Sequence, residues 1–142
     1  MINSMGLKEY VTLIDGQSHD RIPSYLAAMD VCFYGRIKHL AMDVALPTKF
    51  VEYLAMGKPV VTTNVGDPGR LISQYETGIA VPPKNFVGGV SNAIVEILEE
   101  TVNIKKMGKN ARMVAEKYYD WKKIGKRLRN MITGIIEQKG SK

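Results

Sequence analysis

Apolar positions along this chain follow two rhythms. In the first part, short apolar runs alternate with stretches of helical spacing. YVTLIDG (10–16) has strand composition and ends in a glycine-containing turn. RIPSYLAAMD (21–30) predicts a short helix, with Asp20 as its N-cap and Pro23 confined to its first turn. VCFY (31–34) is a second strand, and GRIKHLAMDVALP (35–47), without clean periodicity, predicts a loop. KFVEYLAM then has helical spacing, with Thr48 as a good N-cap and Gly57 as the stop. PVVTT (59–63) predicts a third strand, GDPGRLISQY a turn leading into a short helix, and GIAVPP (78–83) a fourth strand cut off by two prolines. From there the rhythm is helical to the end. VSNAIVEILEE (90–100) aligns Val90, Ile94, Ile97 and Leu98. Residues 103–119 align Ile104, Met107, Ala111, Val114 and Ala115. Trp121 opens a last helix through Ile124, Leu128, Met131, Ile132 and Ile135.

Near-continuous apolar strands alternating with helices predict an α/β fold with a parallel sheet covered on both faces. The expected architecture is a partial Rossmann-like sheet of about four strands with flanking helices and a helical C-terminus. Residues 1–102 are expected to form the partial Rossmann-like domain, and 103–142 a set of basic helices packing on it. Ligands of such sheets bind beyond the carboxyl ends of the strands, which singles out the loops 15–20, 35–48 and 64–69. Four strands are few for a doubly wound domain, and the opening INSMGL reads as the tail of a helix. Both features predict a piece of a larger protein.

Composition narrows the class without changing it. The 142 residues are 45% apolar and 24% charged, as in a globular domain, and no apolar run approaches the ~18 residues of a membrane span. The N-terminus has no secretory signal pattern. The single cysteine, Cys32, lies in an apolar run and reads as a buried thiol in a reducing compartment, which favours the cytoplasm. Charge does alter the picture. Residues 1–100 hold eight basic and eleven acidic side chains, a balance of −3, whereas 101–142 hold twelve and three, a balance of +9. The basic end suits an acidic partner (nucleic acid, an anionic membrane surface or another domain), or else it is a solvated helical face.

The chemistry worth weighing sits at 47–52. A helix starting at Thr48 presents free N–H groups and a positive dipole end to an anion, and Lys49 adds a full charge. Lys49 opposes the helix dipole, a conflict that a bound anion relieves. Glu52, one turn on, shares its face with Lys49 and suits two neighbouring hydroxyls such as those of a ribose. The plainer alternative is a Lys49–Glu52 surface pair worth tenths of a kcal/mol. His19, His39 and Cys32 lack metal-ligand spacing, so no metal is expected, and no nucleophile elbow, P-loop or G-x-G-x-x-G is present. GDPG (66–69) is too short and turn-like to claim a phosphate. Tyr118, Tyr119 and Trp121 are spaced as a helix junction and read as core.

Several linked segments carry a resemblance. GLKEYVTLIDGQ, IPSYLAAMDVCFY, LPTKFVEYLAMGKPVVTTNVGDPGRLI, TGIAVPP and YYDWKKIGKRL occur in that order and at that spacing. From Gly6 to Trp121 the chain resembles the nucleotide-sugar-binding, C-terminal half of the retaining GT-B glycosyltransferases (group 1, family 4-like). The resemblance implies that Glu52 holds the donor ribose. It implies that Pro47, Thr48, Lys49 and the adjoining amides face the diphosphate and sugar, and that Gly16, Gln17 and Ser18 lie near the nucleobase. The family's usual sugar-contacting Glu, eight residues before Glu52, is Val44 here, with Asp43 beside it as a weaker substrate-binding candidate. PTKFVEY resembles a branch that lacks this first Glu. No catalytic residue is assigned.

The resemblance implies transfer of a sugar from a nucleotide-diphosphate sugar to an acceptor with retention, in polysaccharide or glycolipid biosynthesis. The donor is a substrate, and no cofactor is expected. The N-terminal acceptor domain of the family and the first strands of the C-terminal domain are absent from this chain, so the chain alone is expected to be inactive. Expected partners are the nucleotide sugar, the missing acceptor domain and a membrane surface or lipid-linked acceptor, with peripheral placement on the cytoplasmic face of the membrane. A homo-oligomer through the uncovered sheet edge is a further expectation, and nucleic acid is not expected. The competing reading is a non-catalytic, truncated Rossmann-like module serving as scaffold or partner.

Overall fold

A computed structural model describes residues 1–140. Its ordered elements begin with α1 (Ile22–Ala28), β1 (Cys32–Tyr34), the short α2 (Leu40–Val44) and α3 (Thr48–Ala55). They continue with β2 (Val60–Thr63), α4 (Gly66–Tyr75) and β3 (Gly78–Val81), and end with α5 (Phe86–Leu98), α6 (Ile104–Tyr118) and α7 (Trp121–Gly140). The sheet is parallel, with β2 between β1 and β3. Val60 stands opposite Cys32 and Gly78, and Val61 opposite Phe33 and Ile79.

The pleat sends alternate residues to opposite layers. Cys32 and Val60 join Leu26, Phe50, Leu54, Ile72, Ala111, Val114 and Ala115 in the larger core, which seats α1, α3, α4 and α6 on one face. Val61 and Val81 meet Ala93 of α5 on the other, with Ile79, Phe86, Val90 and Ile97 around them. Cys32 is 3% exposed, and burial pushes its thiol pKa up, as a structural cysteine requires.

The strand count corrects the expectation from four to three. Residues 11–18 form no regular element and join no ladder among the described residues, and Tyr10, Leu13 and Ile14 are exposed. Strand composition alone cannot form a strand: the backbone needs a partner for its N–H and C=O groups, and none is within reach among the described residues. Three smaller corrections follow from similar causes. The loop 35–47 contains α2, whose start is held by His39 Nδ1 accepting from the Ala41 N–H (3.3 Å). Asp20 belongs to a 3₁₀ turn before α1, whose N-cap is Arg21. GDPG forms the first turn of α4 itself.

On α5 the sheet-facing residues are Val90, Ala93 and Ile97, whereas Ile94 and Leu98 face outward, Leu98 at 75% exposure. A Cβ on Gly89 would lie 2.9 Å from that of Val81, so small residues, not the largest apolar ones, mark the contact. Tyr118 and Tyr119 pack on the larger core as expected, but Trp121 is 83% exposed. With it, Leu128, Met131, Ile132, Ile135 and Ile136 leave an apolar stripe open on α7.

The end of α3 fixes how α6 docks. Gly57 has φ +64°, its N–H donates to Leu54 C=O (2.9 Å), and the Lys58 N–H donates to Tyr53 C=O (3.0 Å), which closes the helix as a Schellman motif. Pro59 then starts the return to β2. α6 crosses this end so closely that a Cβ on Gly108 would fall 2.6 Å from Gly57 O. Replacing Gly108 by Ala should therefore cost about 1–3 kcal/mol despite the better helix propensity. Gly125→Ala, in open space on α7, should be neutral or gain up to about 1 kcal/mol. Thermal unfolding of the two variants separates these outcomes by several degrees.

Candidate functional site

In a parallel sheet the helix between two strands runs back along them, so its N-terminus lies at their carboxyl ends. That is where α3 begins. Pro47 is its N-cap, extended at φ −74° and ψ 135°, and its carbonyl accepts from the Phe50 N–H at 3.1 Å and the Val51 N–H at 3.4 Å. Thr48, expected as the cap, is the first helical residue, and no side chain caps the helix. Pro47 takes the position because its fixed φ suits the extended entry and it has no N–H to satisfy. The backbone N–H groups of Thr48 and Lys49 thus have no intrahelical partner, the normal state of a helix start.

Phe50 and Leu54 anchor α3 to the core, both fully buried. That anchoring turns the opposite side outward: Thr48 and Lys49 are exposed and Glu52 is half-buried. Among the described residues Lys49 and Glu52 do not pair with each other; the ion pairs are Arg70–Asp67, Lys106–Glu76 and Arg112–Glu116. A cation and a carboxylate therefore stand beside a helix start without neutralising one another.

The structure brings together Pro47, Thr48, Lys49 and Glu52. Asp43 lies four residues ahead of Pro47, half-buried on α2, with Val44 beside it at 77% exposure. Gly16, Gln17 and Ser18 sit on the irregular segment 11–18, Gln17 half-buried and the other two exposed, and their interactions are local: Gln17 Nε2 donates to Asp15 C=O (3.0 Å) and Ser18 C=O accepts from the Arg21 N–H (3.0 Å). The Ser18 hydroxyl also holds the Asp20 carboxyl below its ordinary value.

Sequence reasoning missed Arg36, the second residue past β1. It is 8% exposed, and its backbone is held from both sides by one hydroxyl. The Arg36 N–H donates to Thr63 Oγ1 (2.8 Å), and Thr63 O–H donates to Arg36 C=O (2.9 Å). Its guanidinium Nη1 donates to Ala45 C=O (2.7 Å), and the guanidinium carbon Cζ lies 5.9 Å from the Tyr34 ring centre. Next to it, Thr62 O–H donates to Tyr34 C=O. The only sequence signal was a pair of threonines ending an otherwise valine strand. Beside Arg36 a mostly apolar cavity of about 580 Å³ opens between the loops after β1 and β3, lined by Phe33, Gly35, Ile37, Lys38, Pro83, Lys84 and Phe86. Phe33 and Phe86 meet there with ring centres 5.7 Å apart.

The family model for glycosyl transferases group 1 matches residues 1–114. The chain belongs to that family. Among its relatives is a GDP-mannose-dependent alpha-(1-6)-phosphatidylinositol monomannoside mannosyltransferase of Mycobacterium tuberculosis, 26% identical over 136 residues. The match covers 94% of this chain and 35% of that protein. An alpha-D-kanosaminyltransferase of Streptomyces kanamyceticus is 26% identical over 129 residues, 90% of this chain and 32% of its own length. The chain thus spans about a third of the curated relatives it matches.

Solved structures agree on the fold. Sucrose-phosphate synthase of Thermosynechococcus elongatus superposes with a TM-score of 0.73 at 24% identity, over 96% of this chain and 33% of that one. Anabaena HepE in complex with UDP superposes at 0.71 and 23% identity, over 94% and 35%. The fold is accordingly a partial Rossmann-like sheet of the GT-B kind, and no described helix of this family member is long and apolar enough to cross a membrane.

Proposed function

We propose that this chain is the donor-binding portion of a glycosyltransferase that moves a sugar from a nucleotide-diphosphate sugar to an acceptor with retention of configuration. The observation that carries the reading is the start of α3: an uncapped helix N-terminus at the carboxyl ends of the strands, with Lys49 in its first turn and Glu52, unpaired with Lys49, one turn on. The amides and Lys49 suit a diphosphate, whose charge grows as it leaves, and a site preorganised for that charge lowers the barrier. Glu52 suits the ribose, because a carboxylate accepts from two adjacent hydroxyls. Family membership supports the reading, as does the UDP bound by HepE, a protein of the same fold.

Glycosyl transfer also needs an acceptor held across the donor. This chain covers about a third of its relatives' length, so we expect the 142 residues alone to bind donor nucleotide without turning it over. Incubation with GDP-mannose and UDP-glucose should release no nucleoside diphosphate above the buffer rate; measurable release would refute this division of labour. Replacing Glu52 by Gln should weaken GDP or UDP binding about tenfold, the scale of one charge-assisted hydrogen bond pair. An unchanged affinity by calorimetric titration would remove Glu52 from the ribose.

A second reading, that of an interaction module, is favoured by one feature. Among the described residues β1 pairs only with β2, so its other edge is open there, and Phe33 within it is 50% exposed. Under this reading light scattering of the purified chain shows a defined oligomer and nucleotides do not bind.

A further inference from the structure

The residues that meet the donor in the proposed reading stand at the end of a long excursion. The chain leaves β1 at Tyr34 and does not enter α3 until Thr48. A loop of that length has many conformations, and fixing its far end after donor binding would cost affinity. Two side chains close it at the base. Thr63, the last residue of β2 and 1% exposed, grips the backbone of Arg36 by both its N–H and its C=O, at 2.8 and 2.9 Å. Arg36, held there, reaches over and donates to Ala45 C=O at 2.7 Å. The two ends of the excursion, Arg36 and Ala45, are thereby tied to each other and to the central strand, two residues before the N-cap Pro47.

From this geometry we infer that Arg36 and Thr63 are positioning residues for the donor site. They set the path of residues 45–49 before any ligand arrives, so that the first amides of α3 and Lys49 already face the strand ends. Thr63 does this through its hydroxyl alone: the same oxygen accepts from one Arg36 group and donates to the other, a role that valine, of nearly equal shape, cannot fill. Arg36 acts through a charge-assisted bond to a backbone carbonyl, stronger than a neutral one. Neither residue is asked to touch the donor. The inference rests on the donor-site reading for its functional half, and its structural half stands without it.

The test uses three variants of the full chain: Thr63→Val, Thr63→Ser and Arg36→Met. Valine suits a buried strand and methionine keeps the apolar stem, so the fold is retained. Amide hydrogen exchange is followed without ligand. Thr63→Val and Arg36→Met should speed exchange at the Phe50 and Val51 amides, which donate to Pro47 C=O, about tenfold, the scale of one lost hydrogen bond. Val81, Ala111 and Val114 should keep their wild-type rates. Thr63→Ser, which restores the hydroxyl, should restore the slow rates.

Wild-type rates at Phe50 and Val51 in Thr63→Val would overturn the inference, as would a serine variant as fast as the valine one, or a uniform acceleration across all slow amides. Titration with UDP and with GDP then reads the functional half. If the wild type binds, Arg36→Met should bind about tenfold more weakly, and equal affinity overturns the role at the site. If the wild type binds neither, the donor-site reading fails, while exchange still decides whether the base of the loop is clamped.

Discussion

The rest of this structure depends on the parallel pairing of β2 with a neighbour on each side. Val60, Val61, Thr62 and Thr63 are all buried, and they divide by the pleat into different tasks. Val60 binds the layer that seats α3 and α6, and Val61 the layer that seats α5. The two threonines then use hydroxyls where more apolar bulk would fit as well. Thr62 donates to Tyr34 C=O, and Thr63 engages both backbone groups of Arg36. Parallel strands leave their carboxyl ends with unsatisfied backbone groups, and here the central strand satisfies those of its neighbour with side chains. One strand thus both builds the core and stabilises the loop that reaches the site.

Much of this was legible because hydrophobic periodicity reports large buried side chains. VCFY, PVVTT and GIAV became β1, β2 and β3, and KFVEYLAM, read as a helix from its spacing, became most of α3. What was not legible has three physical sources. A strand is a property of pairs, so residues 10–16 could have strand composition and still join no sheet. Close contacts made by small residues leave no hydrophobic signal, so Gly89 and Ala93 marked the buried face of α5 while Ile94 and Leu98 suggested a different one. Long-range polar contacts have no local signature at all: Arg36 and Thr63 are 27 residues apart, and nothing near either names the other.

The site itself was only half legible. Lys49 and Glu52 could be placed on one face from spacing, but whether they paired decides between a surface ornament and a free binding set. The structure leaves them apart while Phe50 and Leu54 hold the helix in place. The cap could not be read correctly, because Thr48 and Pro47 both suit a helix start and only the backbone path separates them. That path is set by the base of the loop, through contacts the local sequence does not announce.

In the proposed donor site the same loop gives the nucleotide and the sugar different partners. The position at which the resemblance places a sugar-contacting carboxylate is Val44, exposed at the end of α2, with Asp43 half-buried before it. An exposed valine can neither accept a hydrogen bond nor hold a hydroxyl in place, so α2 offers the sugar little beyond contact. Selectivity among sugars differing in one hydroxyl depends on polar partners that are left unsatisfied by the wrong substrate. Under the proposed function those partners come from elsewhere in the protein, and α3 holds the nucleotide that all such donors share. Under the proposed function affinity and sugar choice are thus separate: the helix start, tied to β2 through Arg36, supplies the first, and residues outside α2 and α3 supply the second.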